Sequence, residues 1–185
     1  MADDSGSSAV AVRVADERDM PAIAALRRSW LEERTGTAVD DPGFEAAFAQ
    51  WWRVELPRRT FWVAETGSAR SGFIAVGSIN VVEIVHMPRP GARGGRIGHV
   101  GNAFVLASFA DRGVPGALLT AAIEHARARH YRRLLLAPTA GSAAFYRRAG
   151  FADLALVPGG HLTLYCTVPA EWNGRRSSII AYSIP

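Results

Sequence analysis

Lysine is missing altogether: all 21 basic side chains are arginine. That excludes a lysine nucleophile and any route through a lysine Schiff base. A single cysteine, Cys166, excludes an internal disulfide framework and offers no thiolate cluster to a metal. No apolar run reaches the ~18 residues that a membrane-spanning helix needs. The opening stretch, Met1-Ala2-Asp3-Asp4-Ser5-Gly6-Ser7-Ser8, is acidic and polar, the opposite of a secretory leader. These absences predict a cytoplasmic chain with no membrane partner. Concentrated charge is lacking too. The net charge is only +4, and the arginine pairs at 27–28, 58–59, 132–133, 147–148 and 175–176 are dispersed. A nucleic-acid binder gathers its charge on one face among stacking aromatics, so no nucleic-acid partner is expected. An anionic small molecule suits this distribution better.

What is present is the balance of a globular domain. The chain has 185 residues, 49% hydrophobic and 21% charged, enough for one domain with a proper core. Residues 1–9 read as a disordered tail. Val10 to Val14 reads as a strand, and Asp16 or Asp19 can cap a following helix that Gly36 ends. A second helix starts near Asp41-Pro42, carries Phe44, Phe48, Trp51 and Trp52, and closes at Pro57. Thr60–Thr66 and Phe73–Val85 read as a hairpin, and Pro88–Gly95 as a loop. A strand over His99–Ala107, a helix over Pro115–His130, a strand over Arg132–Ala137 and a short helix over Ser142–Ala149 follow. Phe151–Val157 and His161–Thr167 close the pattern as strands. The order β-α-α-β-β-β-α-β-α-β-β predicts a mixed α/β fold with one βαβ crossover.

The chemistry concentrates in two segments. Asp111-Arg112-Gly113-Val114-Pro115-Gly116-Ala117-Leu118-Leu119 lies between a predicted strand and a predicted helix. Glycines there let the backbone turn tightly and aim several N–H groups at one anion, with the helix dipole adding to the attraction. A glycine- and proline-bearing turn is equally a structural device, so the loop alone decides nothing. Further on comes Ser142-Ala143-Ala144-Phe145-Tyr146-Arg147-Arg148-Ala149-Gly150-Phe151. In order and spacing the pair resembles the acyl-CoA pyrophosphate loop and the Phe-Tyr-x-x-x-Gly-Phe segment of the GNAT superfamily of N-acetyltransferases. Gly101-Asn102-Ala103-Phe104-Val105-Leu106 is similar to that family's fourth strand, whose backbone pairs with pantetheine. The resemblance is strong over residues 98–151 and extends loosely over 10–167.

The resemblance implies a GNAT acyl-CoA N-acyltransferase fold: a mixed, mostly antiparallel sheet flanked by helices. It also implies transfer of an acetyl or short acyl group from acetyl-CoA, or another acyl-CoA, to the amine of a small molecule or peptide. The cofactor-binding residues it implies are Phe104, Val105, Leu106, Arg112, Gly113, Val114, Gly116, Ala117, Ser142 and Phe145. Tyr146 falls where family members place a general acid beside the CoA sulfur, leaving Phe145 as the core aromatic of the pair. The base is open between His99, where some members carry a glutamate, and Glu83, with His86 a rival. Asn102 can orient water or satisfy backbone. His125 and His130 read as surface or helix-end residues, and no metal spacing is found.

Two departures from the family pattern bear on competence. Ala110 stands where an Arg or Gln is frequent, and Pro115 where a second Gly or Ala is usual. Proline removes one N–H donor from the anion cradle. They motivate an alternative, a CoA-binding sensor or regulatory module with weakened catalysis. A non-enzymatic interaction module is a third reading. Glu32, Glu33, Asp40 and Asp41 could attract a cationic acceptor. The extension 168–185 carries an apolar, β-prone stretch, Ser178 to Ile184, expected to add a strand or meet a second subunit in a homodimer.

Overall fold

A computed structural model describes residues 9–68, 72–91, 94–154 and 164–168. The elements run β1 (Ala11–Val14), α1 (Met20–Thr35), α2 (Phe44–Glu55), β2 (Arg59–Ser68), β3 (Gly72–Val85), β4 (Arg96–Val105), α3 (Val114–Ala128), β5 (Tyr131–Leu136), α4 (Ala143–Arg148), β6 (Ala152–Asp153) and β7 (Leu164–Thr167). Short 3-10 turns precede α1, β2 and α3. The strands pair in the order β1-β2-β3-β4-β5-β7-β6. β4 and β5 run parallel and are joined through α3, which makes the one βαβ crossover. The pairs β1–β2, β5–β7 and β6–β7 are antiparallel. The expected element order and mixed α/β class are therefore observed. The expected tail over 1–9 and the extension 168–185 lie almost wholly outside the described residues, as do the expected strand ends between 155 and 163.

Chain contacts gather into two compact units, residues 1–80 with 102–121 and residues 81–101 with 122–185. In the first unit, β1 lies against β2 with Ala11 opposite Glu65 and Val14 opposite Trp62. The turn into α1 is built by two aspartates. The Asp16 carboxylate accepts the Arg18 N–H at 2.8 Å, and the Asp19 carboxylate accepts the Asp16 N–H at 2.8 Å. Each takes up a donor that a helix start leaves without a partner. Arg13 forks onto Asp19 at 2.7 Å and reaches Glu65 at 2.8 Å, fastening strand to turn. Gly36, at φ +71°, closes α1 with its N–H on the Glu32 carbonyl at 2.8 Å.

The core of this unit is aromatic. Trp52 and Phe61 are 3% exposed, with ring centroids 4.3 Å apart. Phe48 and Trp51 pack around them, beside Ile23 and Val63. Truncating Phe or Trp in such a setting costs roughly 3–5 kcal/mol. Of the tryptophans, Trp52 and Trp62 are buried, while Trp30 and Trp51 are half-buried.

In the second unit, β5 is the central strand. It pairs in parallel with β4, Arg96 opposite Tyr131 and His99 opposite Leu135, and antiparallel with β7, Leu134 opposite Cys166. Leu134 and Leu164 are fully buried, with Tyr131, Leu136 and Phe151 nearly so. β4 starts at Arg96, three residues before the expected His99. Parallel pairing to β5 recruits Arg96–Gly98, whose side chains carry no strand pattern of their own. Cys166 lies within β7, inside the expected strand His161–Thr167, and is buried. Burial pushes its thiol pKa up, which leaves it a poor nucleophile.

Candidate functional site

The glycine-bearing loop belongs to the first unit. β4 carries a local irregularity at Asn102, whose φ of +49° is left-handed in mid-strand. Asparagine tolerates that conformation better than most side chains. The irregularity falls where the chain passes from the second unit back to the first. After it Phe104, Val105 and Leu106 are half-buried, and the Leu106 N–H donates to the Val76 carbonyl at 2.9 Å. Consecutive turns then carry the chain round. Phe109, Ala110 and Arg112 donate to the carbonyls of Leu106, Ala107 and Phe109 at 2.8, 3.2 and 3.2 Å.

Gly113 follows at φ +76°, a conformation that would strain any side chain, and lets Val114 enter the core at 1% exposure as the first residue of α3. Ala117 makes an early helical bond, to the Gly113 carbonyl at 3.0 Å. Among the described residues the N–H groups of Gly113, Val114 and Gly116 have no acceptor. A Cβ built on Gly113 or Gly116 would meet nothing within 4 Å, so space above the loop is open. The Arg112 guanidinium lies 4.9 Å over the Phe109 ring and is exposed. Three unclaimed donors at the positive end of a helix, an open face and a neighbouring cation fit a diphosphate. Pro115, in the first turn of α3, costs the helix nothing there but supplies no donor.

The remaining candidates belong to the second unit. Tyr146, on α4, is 8% exposed. Its ring meets Phe145 at 5.1 Å and Phe151 at 5.8 Å, both edge-on. Its hydroxyl has no hydrogen-bond partner among the described residues. Burial raises its pKa, so the phenol stays protonated at neutral pH. The expected division within the Phe-Tyr pair is reversed: Tyr146 is the buried ring, and Phe145 is half-buried. The reason is helical phase, since Tyr146 shares a face of α4 with buried Ala143. Ser142 closes the turn before α4, its hydroxyl accepting the Thr139 N–H at 3.0 Å and donating to the Thr139 carbonyl at 3.2 Å.

His99 is half-buried on β4. Glu83 on β3 sits among cations, with Arg129 at 3.0 Å and Arg96 at 3.3 Å, and accepts the Tyr131 hydroxyl at 2.9 Å. Burial raises its pKa, but the bonds from Tyr131 and Arg129 and the two positive charges outweigh burial and hold it below the usual range. Burial, and then the bond to Glu83, push Tyr131 up to about 12. A carboxylate held this way is an anchor and a weak proton acceptor. His86 is exposed and ties the loop after β3 through its N–H to the Gly95 carbonyl at 2.9 Å. His125, expected at the surface or a helix end, lies in the last turn of α3, half-buried and edge-on to Tyr131 at 5.8 Å, with burial lowering its pKa. His130 is exposed, just past α3, at φ +57°.

Among the described residues no group of three His, Cys, Asp or Glu could hold a metal, and no helix is long and apolar enough to cross a membrane. Sequence reasoning missed the Glu83–Arg96–Arg129–Tyr131 cluster, because its members are brought together from three strands and a helix end. The expectation that Asn102 orients water or satisfies backbone did not include its left-handed φ of +49°, for which an asparagine within an apolar strand was the available signal.

A model of the acetyltransferase (GNAT) family matches residues 23–151. No curated protein matches the sequence. Among solved structures, the chain is similar to an acetyltransferase from Clostridium acetobutylicum determined with acetyl-CoA. The TM-score is 0.63 at 17% identity, over 80% of this chain and 96% of that one. It is also similar to glucosamine-6-phosphate N-acetyltransferase from Arabidopsis thaliana, with TM-score 0.59 at 14% identity over 83% and 98%. A transcriptional regulator from Bacillus halodurans C-125 gives 0.66 at 17% identity over 83% and 99%. At these identities the structural likeness concerns the fold alone.

Proposed function

Because this chain belongs to the GNAT acetyltransferase family, we propose that it moves an acetyl or short acyl group from acyl-CoA to the amine of a small molecule or peptide. The observation that carries the reading is the Leu106–Ala117 turn, where the Gly113, Val114 and Gly116 N–H groups stand without acceptors among the described residues, beside Arg112. That donor set suits the diphosphate of coenzyme A. The likeness to an acetyltransferase determined with acetyl-CoA supports the same ligand. Acyl-CoA brings an activated thioester; the chain must position it, take a proton from the amine and return one to the departing sulfur.

In this reading Phe104, Val105 and Leu106 flank the pantetheine arm, with Ser142 and Phe145 as further contacts. Tyr146 is the acid: its phenol keeps its proton at neutral pH and its Oη is not committed to another described group. His99 is the base, acting directly or through water, since an imidazole accepts protons near neutrality. Glu83 is assigned to the support of β3 and β5, given its two arginines and tyrosine.

Acetyl-CoA should raise Tm in a concentration-dependent way, and a panel of amines screened by thiol release should include a substrate. Absence of any acetyl-CoA-dependent rise would refute the reading. Pro115 favours one alternative, a CoA-binding sensor with weakened catalysis. Saturable acetyl-CoA binding with no thiol release from any amine would select it.

A further inference from the structure

Helix α1 changes character along its inward face. Its buried residues are Ile23, Ala24 and Leu26. At ~100° per residue, Arg27, Trp30 and Arg34 fall within about 40° of Ile23 around the helix. The stripe that is aliphatic in the first turns is thus cationic and aromatic in the last ones. The guanidinium carbons of Arg27 and Arg34 lie 4.0 and 5.3 Å from the centroid of the same Trp30 ring. Arg27 and Trp30 are half-buried, and Arg34 is exposed at the outer end.

Among the described residues, Arg27 and Arg34 make no hydrogen bond and no ion pair. Several other arginines are held by acids or carbonyls, though Arg112 and Arg133 also lie over rings, Phe109 and Tyr165, without an ion pair among the described residues. Arg28, the next residue on the helix, is held by Glu45 at 2.7 Å and by the Val39 and Asp41 carbonyls. Arg59 is bidentate on Glu55 and donates to Asn80. Arg13, Arg129 and Arg147 each sit on a carboxylate. A half-buried cation without an anion is costly, and a second one on the same ring adds repulsion. Burial and the charge of Arg34 both lower the Arg27 pKa, and no neighbouring acid opposes them. An incoming anion would relieve both costs, while the indole offers a flat apolar wall beside it.

We propose that Arg27, Trp30 and Arg34 hold the anionic group, a carboxylate or a phosphate, of the amine that this protein acylates. The proposal rests on the acyltransferase reading and specifies its acceptor class. The acceptor carries a negative charge besides its amine.

Matched amines test it. Thiol release is measured for an amino acid against its amide, and for glucosamine 6-phosphate against glucosamine, with wild type, Arg27→Gln, Arg34→Gln and the double variant. Wild type should favour the anionic member of at least one pair by about tenfold or more in kcat/KM, the lower end for a hydrogen bond to a charged group. The pair that shows the preference identifies carboxylate or phosphate. The variants should lose that preference through a higher acceptor KM. Equal use of both members by wild type, or a preference surviving in the double variant, overturns the proposal. A rise confined to the KM for acetyl-CoA also overturns it, because the anion would then belong to the cofactor.

Equilibrium binding of L-glutamate and glucosamine 6-phosphate, by calorimetry with and without CoA, separates the two readings. If no amine is acylated but one of these anions binds wild type and not the double variant, the catalytic reading fails while the anion site stands. Arg34→Gln, at an exposed position, serves should Arg27→Gln fail to fold.

Discussion

Tyr146→Phe removes a single oxygen, which makes it the sharpest test of the assignment of roles. The ring contacts with Phe145 and Phe151 survive the change. The lost hydroxyl has no hydrogen-bond partner among the described residues, so no group is left unsatisfied. The stability cost should therefore stay under about 1 kcal/mol, a Tm shift of roughly 2–4 °C at most for a chain of this size. Catalysis should respond on another scale. A positioned general acid contributes a factor of about 10²–10⁴. At about 1.36 kcal/mol per decade, that is roughly 3–5 kcal/mol on the barrier. Thiol release at saturating acetyl-CoA should fall by that factor, with the KM for acetyl-CoA nearly unmoved. The direction of the pKa shift adds a second readout. Since burial raises the phenol above its ordinary value, wild-type turnover should not lose this acid anywhere below about pH 10. A Tyr146→Phe protein that keeps more than about a tenth of wild-type turnover would refute the assignment. So would a loss of turnover matched by a large fall in Tm, which would make the hydroxyl structural.

Gly113→Ala should lower stability by about 1–2 kcal/mol, because a Cβ at φ +76° is strained in the left-handed region even though space is open. It should raise the KM for acetyl-CoA as well; a Tm equal to wild type would contradict the local conformation. Pro115→Ala should do the reverse for the ligand, adding one N–H to the cradle and tightening acetyl-CoA by about tenfold. Calorimetry that finds the affinity unchanged would place the diphosphate away from that turn. Glu83→Gln tests a linkage. A carboxyl whose folded pKa is lowered stabilises the fold fully above its unfolded pKa and loses that contribution as pH falls through the folded one. Wild-type stability should thus decline below about pH 4.5, and urea titrations of the variant should show a shallower decline over that window.

The fold was legible because its punctuation is local. Asp16 and Asp19 before an apolar period, Gly36 after it, Pro57 after α2 and the glycines before α3 each act within a turn of their own position. β4 was misjudged at its start because pairing with β5, and not the side-chain pattern of Arg96–Gly98, determines where the strand begins. The candidate site divides in the same way. The Arg112–Ala117 loop is a contiguous segment, so its donors and its missing donor could be read directly. Which ring of the Phe-Tyr pair is buried depends on which face of α4 turns inward, and the Phe-Tyr spacing alone carries no information about that. The environment of Glu83 was out of reach for a plainer reason. Its partners stand 13, 46 and 48 residues away in sequence, and only folding reveals that a candidate base is already held by two arginines and a tyrosine.

The same logic changes the sign of the charge expected near α1. Glu32, Glu33, Asp40 and Asp41 suggest, as a sequence, an acidic cluster for a cationic acceptor. In the fold, Glu32 accepts the Val39 N–H at 3.1 Å and Asp41 accepts the Gly43 N–H at 3.0 Å, so two of the four serve the backbone between α1 and α2. Arg28 binds the same segment through two of its carbonyls and offsets the local negative charge. Among the described residues, the cations on α1 without a counter-charge are Arg27 and Arg34, both over Trp30. An amine has to reach the transfer site as a neutral nucleophile, so its own charge is a poor handle for binding. A carboxylate or phosphate elsewhere on the acceptor keeps its charge throughout and can be held while the amine loses its proton. On that argument the recognition charge on this protein should be positive.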